Sequence, residues 1–313
     1  MGFITPSVPF AERRIIIMEF TTFMELVRIE AEKRVCDDCS VQLVTTTKNN
    51  GVVLNGITIL QDGCNISPTI YLDDHYEAYQ NGTATIGMIT DTVMDTYEKN
   101  KTDRSIDMGG FLNYVSAKEQ IVYKLVNTEK NRELLENIPH VPFHDLSIVF
   151  EYFVSQGDKG SISILIRNKY MNAWNADTEE LYRTASINTP LLRKYELKSM
   201  GEVLCELEDK MDFGDPCGIS LMYVLQNESK VMGAACILYP NLLSDFAAAC
   251  KSDLFIIPSS IHETLILPYA DPSESEEIKK MIRDINRIQV AAEEVLSDNL
   301  YIYEKSTNEL RMV

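Results

Sequence analysis

Residues 253–268 read Asp-Leu-Phe-Ile-Ile-Pro-Ser-Ser-Ile-His-Glu-Thr-Leu-Ile-Leu-Pro, two strongly apolar runs with a polar interruption between them. Short runs rich in branched and aromatic residues and bounded by proline are strand-length, so 254–257 and 264–267 read as a pair of strands. Between them Ser259, Ser260, His262 and Glu263 crowd two hydroxyls, an imidazole and a carboxylate together. Buried polar groups cost free energy unless they are paired, so this cluster requires either a satisfied internal network or a site.

Strand pairs separated by single helices recur along the chain. From Met18, the apolar residues Phe20, Phe23, Met24, Val27 and Ala31 follow the helical period. Residues 41–47 and 51–60 are rich in β-branched side chains and flank Asn49-Asn50-Gly51, whose Asn-Gly step suits a type I′ hairpin turn. A third strand is expected at 69–72 and a helix at 86–97, while 111–126 fits either. Strands at 146–154 and 161–168 flank a turn at 156–160, and Asp177 or Thr178 caps the helix that follows, ahead of Glu179 and Glu180. An acidic helix from Met200 and a loop at 209–218 lead to strands at 222–226 and 233–238 and a helix at 242–250. A helix at 275–289 carries Ile278, Met281, Ile282, Ile285 and Ile288 as a core stripe with Asn286 on a more polar flank, and a strand at 300–303 closes the pattern.

That order predicts an α+β fold, antiparallel sheets with helices packed on them. Asn137-Ile-Pro-His-Val-Pro142 reads as a breaker, giving two subdomains at 18–138 and 139–313. Residues 1–17, with Pro6 and Pro9, read as a disordered leader, and Met18 as a candidate natural start.

The charge balance narrows the partners. Forty-seven acidic residues against 29 basic ones leave a net charge of −18, which opposes approach to DNA, RNA or anionic lipid. A basic protein partner is favoured instead, or the charge serves solubility alone. No Walker loop, dinucleotide glycine pattern or aromatic-and-basic surface is present, so no cofactor is expected. Seven cysteines, mostly within apolar or helical segments, read as packing thiols in a reducing compartment. No run approaches the roughly 18 to 20 apolar residues that span a bilayer, and a cytoplasmic location is expected.

Five ordered strings then carry a likeness: Asn49-Asn-Gly-Val-Val-Leu-Asn-Gly56, Asn65-Ile-Ser-Pro-Thr-Ile-Tyr-Leu72, Gly233-Ala-Ala-Cys-Ile-Leu-Tyr-Pro240, the 253–263 stretch, and Gln289-Val-Ala-Ala-Glu-Glu-Val-Leu-Ser-Asp298. From Met18 onward the chain resembles the bacterial domain-of-unknown-function family 5688. The resemblance implies organisation and a source mainly among Gram-positive anaerobes, and no mechanism.

A hydrolase would use Ser259 or Ser260 as nucleophile, His262 as base and Glu263 as its orienter. On an extended strand, alternation sets Ser260 and His262 on one face about 6 to 7 Å apart and Glu263 on the other. Proton transfer needs roughly 2.6 to 3.2 Å, and no Gly-x-Ser-x-Gly elbow accompanies the serines. The competing expectation is a structural network in which Ser259, Ser260 and His262 cap a sheet edge or the 286–289 helix end, with His262 largely buried and Glu293 and Glu294 facing the segment.

Cys36-Asp-Asp-Cys39 has a redox or zinc spacing, but its two carboxylates oppose thiolate formation, and Cys64 with His75 is the nearest further ligand pair. His140 and His144 have zinc-like spacing across Pro142, which prevents the helix that would align them. Asp73, Asp74, His75 and Glu77 read as a solvated helix start. No metal is expected. The functional expectation is a non-catalytic interaction or regulatory protein with an acidic surface, with the hydrolase as the alternative.

Overall fold

Phe23, Val27 and Ala31 line the buried face of helix α1 (Phe20–Glu32), the spacing that the sequence predicts. The structure, a computed structural model, describes residues 18–102, 105, 107–157, 160–207, 222–268 and 272–313. The expected leader at 1–17 and loop at 209–218 lie outside the described residues. The chain divides into two units, one comprising the described residues up to Thr46 with Val53–Ile106, the other Thr47–Val52 with Asp107–Val313.

In the first unit, β1 (Cys39–Thr47), β2 (Val53–Gln61) and β3 (Thr69–Tyr71) form a sheet in that order, followed by α2 (Asp73–Gln80) and α3 (Ile86–Asn100). Its core joins Phe23 and Val27 of α1, Ile57 and Ile59 of β2, Leu72, and Ile89 and Val93 of α3. Asp73 starts α2 and also accepts the Asn55 backbone N–H at 2.9 Å, so this acidic segment is a helix start tied to β2.

The second unit begins with the short helices α4 (Gly109–Leu112) and α5 (Tyr114–Ala117) and then β4 (Ile121–Asn127), so the 111–126 stretch holds both structures that it could fit. After α6 (Arg132–Leu135) come β5 (His140–Phe143), β6 (Leu146–Gly157) and β7 (Gly160–Leu165); β6 takes β4 on one side and β5 and β7 on the other. The 137–142 breaker therefore falls inside this sheet rather than between units, and Pro142 is accommodated on β5, a strand paired on one side only.

Next come α7 (Asn168–Trp174), α8 (Thr178–Leu192), β8 (Tyr195–Ser199), α9 (Met200–Leu207), β9 (Tyr223–Asn227), α10 (Leu242–Cys250), β10 (Leu254–Ile257), β11 (Thr264–Pro268), α11 (Ser275–Ile288), β12 (Tyr301–Glu304) and β13 (Glu309–Met312). Asp177 caps α8, accepting Glu180 N–H at 2.7 Å. The six strands of the second sheet run β13-β12-β10-β11-β9-β8, all neighbours antiparallel. The fold is α+β. Its larger core joins Tyr123, Phe150, Leu225, Ile256, Ile266 and Tyr301 from both sheets with Leu181 and Ala185 of α8.

Two expectations fail in instructive places. Residues 233–238 form a buried 3-10 helix, not a strand. Met232 turns the chain with φ 55°, and a Cβ on Gly233 would sit 2.4 Å from the His262 carbonyl oxygen and 2.7 Å from the Asn227 nitrogen. A short run of small apolar residues does not distinguish the two structures by periodicity. On α11 the buried face is Ile278, Ile282 and Asn286, while Met281, Ile285 and Ile288 are exposed. The helix turns its asparagine inward because that amide has work there: its Nδ2 donates to the Ser297 carbonyl at 2.9 Å and to Asp298 Oδ1 at 2.8 Å.

Candidate functional site

Beyond α11 the chain runs through residues 289–299 without regular structure, and its backbone groups must find other partners. Side-chain amides supply many. Asn49 donates to the Glu293 carbonyl at 2.7 Å, Asn50 to Ala292 and Val295 at 2.8 and 2.7 Å, and Asn127 to Leu296 at 2.9 Å. Asn131 locks the arrangement by bonding Asn50 and the Asn127 carbonyl. The turn that presents Asn50 is the expected one, with φ 60° at Asn50 and 71° at Gly51. At the far end of the segment Asp145 accepts from Ser297 at 2.7 Å, Asn299 at 2.9 Å and the Tyr301 hydroxyl. Burial, reinforced by Asp145, pushes the Tyr301 phenol above its ordinary range.

This ordered segment pairs with the stretch between β10 and β11. Ile261 N–H donates to the Glu294 carbonyl at 2.9 Å, Leu296 N–H to Ser259 at 2.9 Å and Ser297 N–H to Pro258 at 3.0 Å. Ser260 faces Val295 in an antiparallel bridge and is buried. Its hydroxyl accepts the His262 backbone N–H at 3.0 Å and is hydrogen-bonded to the Glu263 carboxylate. The His262 ring has a neighbour on each side: Nδ1 accepts Met232 N–H at 3.4 Å, and Nε2 lies 3.4 Å from Glu294 Oε1. An acceptor Nδ1 places the ring proton on Nε2, facing the carboxylate.

The four predicted residues thus come together, and Glu294 faces them as expected. Ser260 meets the backbone of His262 instead of its imidazole, and Ser259 contributes its carbonyl. His262 is largely buried, as expected, with a quarter of its side chain exposed.

An open cleft of about 340 Å³ lies over this network, lined by Lys230, Ser260, His262, Glu263, Gln289, Val290 and Glu294. Burial raises the Glu263 carboxyl above its ordinary value, and His262 and Ser260 offset this only in part. Among the described residues no lysine or arginine pairs with it, although Lys230 lines the same cleft. Lys230 carried no sequence signal, and Gln289 and Val290 were marked only as the start of the 289–298 string; Lys230 is placed by a turn in which it and Met232 both take φ 55°.

A desolvated carboxylate without a counterion costs stability. In the folded state Glu263 holds its proton to higher pH than the usual glutamate value of 4.5, so stability is lost as pH rises through its raised value. Glu263→Gln is therefore expected to be more stable than the unchanged protein at neutral pH, with the gain vanishing below 4.5. Chemical denaturation on either side of that pH checks it.

The other predicted clusters fare differently from one another. Cys36, Asp38 and Cys39 meet at one turn in the first unit, where hydrogen bonds to Asp38 and then Cys39 push the Cys36 thiol up to about 12. Cys64 points elsewhere, its thiol 3.6 Å from the Thr102 carbonyl. His140 bonds the Ile138 carbonyl, while the His144 ring meets Phe143 edge-on and Tyr301 at a tilt in the β5–β6 turn.

A family of unknown function, DUF5688, matches the chain over residues 20–305. No curated protein and no solved structure matches it. No helix among the described residues is long and apolar enough to cross a membrane.

Proposed function

The chain belongs to DUF5688, and from that footing we propose that it is a non-catalytic interaction or regulatory protein of the cytoplasm, whose cleft around Glu263 and Glu294 receives a basic side chain of a protein partner. The observation that carries this reading is the Glu263 carboxylate, desolvated at the cleft and, among the described residues, paired with no lysine or arginine. A lysine or arginine docked there would supply the missing counter-charge, and charge-assisted pairs with carboxylates are among the stronger hydrogen bonds. The net charge of −18 would steer a basic partner towards the surface and repel nucleic acid.

The alternative, a hydrolase using Ser259 or Ser260 with His262, needs a serine hydroxyl within reach of a free imidazole nitrogen. Nδ1 of His262 accepts from Met232, and Nε2 stands beside the Glu294 carboxylate rather than a serine hydroxyl. Two measurements separate the readings. Affinity capture from the source cell should retain basic proteins at low salt and release them at high salt, as screening shortens the reach of charge from about 10 Å at 0.1 M to about 3 Å at 1 M. Retention that ignores salt would refute the electrostatic reading. A fluorophosphonate probe should leave the protein unlabelled; labelling abolished by Ser260→Ala or Ser259→Ala would establish the hydrolase instead.

A further inference from the structure

Cys36-Asp37-Asp38-Cys39 links the end of α1 to the start of β1 as a tight turn, closed by Cys39 N–H donating to the Cys36 carbonyl at 3.0 Å. The turn is fixed to the end of β2: Asp62 N–H donates to the Asp38 carbonyl at 2.8 Å, and Gln61 Nε2 to Asp38 Oδ2 at 3.2 Å. This framing holds one carboxylate and two thiols on the same side. The two Sγ atoms and a carboxylate oxygen of Asp38 all lie within 4.8 Å of one another.

That spacing suits a small tetrahedral cation. With metal–sulfur bonds near 2.3 Å and metal–oxygen bonds near 2.0 to 2.2 Å, donor atoms around zinc stand about 3.5 to 4 Å apart. The three donors need close by no more than about an ångström, which side-chain rotation on an exposed turn supplies. Among the described residues, no lysine, arginine or histidine forms an ion pair with Asp38, whose carboxylate accepts hydrogen bonds from the Cys36 thiol and the Gln61 amide. Two sulfur donors select zinc over magnesium or calcium, which take oxygen.

We propose that Cys36, Asp38 and Cys39 form a binding site for a thiophilic divalent cation, zinc, with water as the fourth ligand. The carboxylates that weigh against a reactive thiol become, for a dication, part of the attraction. Three protein ligands and an open position make a site exchangeable with solvent, unlike the closed four-ligand sites that hold small folds together. The proposal is independent of the cleft reading, since it uses none of the cleft residues.

Cobalt(II) provides the test, because it replaces zinc in such sites and reports thiolate ligation by a charge-transfer band in the near ultraviolet. One equivalent added to the full chain under a non-thiol reductant should produce that band, and zinc should abolish it. Cys36→Ser and Cys39→Ser should each lose the band, Asp38→Ala should weaken binding while keeping it, and Cys205→Ser should leave it unchanged. Absence of the band at one equivalent, or a band of full strength in both Cys36→Ser and Cys39→Ser, would overturn the site.

Discussion

Glu151→Ala is expected to destabilise the protein by about 3 to 5 kcal/mol, a large part of the 5 to 15 kcal/mol that typically holds a domain folded. Glu151 lies in the middle of β6 with its side chain almost wholly buried, 2.6 Å from Lys124 Nζ on β4 and 3.0 Å from Arg193 Nη2 after α8. Arg193 is as deeply buried and packs over the Phe153 ring, so removing the carboxylate strands Arg193 away from water and leaves the mostly buried Lys124 without this partner. Burial alone would raise the Glu151 carboxyl, but Lys124 and Arg193 outweigh it and hold the group down to about 2. The stability it contributes is present above the usual value of 4.5 and is lost as pH falls towards about 2. Urea denaturation of both proteins across that window should show the difference shrinking with acid. Converting all three residues together to apolar side chains should recover most of the loss, because an ion pair costs nearly as much to desolvate as it returns.

Gly233→Ala is expected to cost about 3 kcal/mol and to disturb the cleft at the same time. The new methyl would meet backbone at 2.4 and 2.7 Å, atoms that cannot rotate aside, and the nearer is the carbonyl oxygen of His262 itself. Relief requires moving the 3-10 helix or the His262 segment, and either weakens the Met232 to Nδ1 hydrogen bond that orients the ring. Gly157→Ala, where a Cβ meets nothing within 4 Å, serves as the neutral control. The expected signature is a lowered denaturation midpoint for Gly233→Ala alone, accompanied by a shift in the His262 imidazole resonances.

What the sequence made legible was local. The period of Phe23, Val27 and Ala31, the Asn-Gly step and the Asp177 cap each act within one element, and each forms as expected. The paired runs at 254–257 and 264–267 pair in register, with Ile256 opposite Ile266. The illegible features depend on partners distant in the chain. Asn286 looked like a flank residue because its hydrogen-bond acceptor, Ser297, lies beyond the helix. The Lys124–Glu151–Arg193 triad joins three elements with no shared pattern. At the cleft the polar cluster was visible and its internal bonding was not, since that depends on Met232 and Glu294 arriving from two other segments.

Titration of a short arginine-rich peptide into the protein, and into a Glu263→Gln, Glu294→Gln double variant, tests the cleft reading most directly. The unchanged protein should bind, with affinity falling as salt rises, and the double variant should bind about tenfold more weakly or less, a loss of about 1.4 kcal/mol or more. Equal binding by both proteins, or none by the unchanged one, would contradict the assignment of the cleft as the place where a basic partner docks.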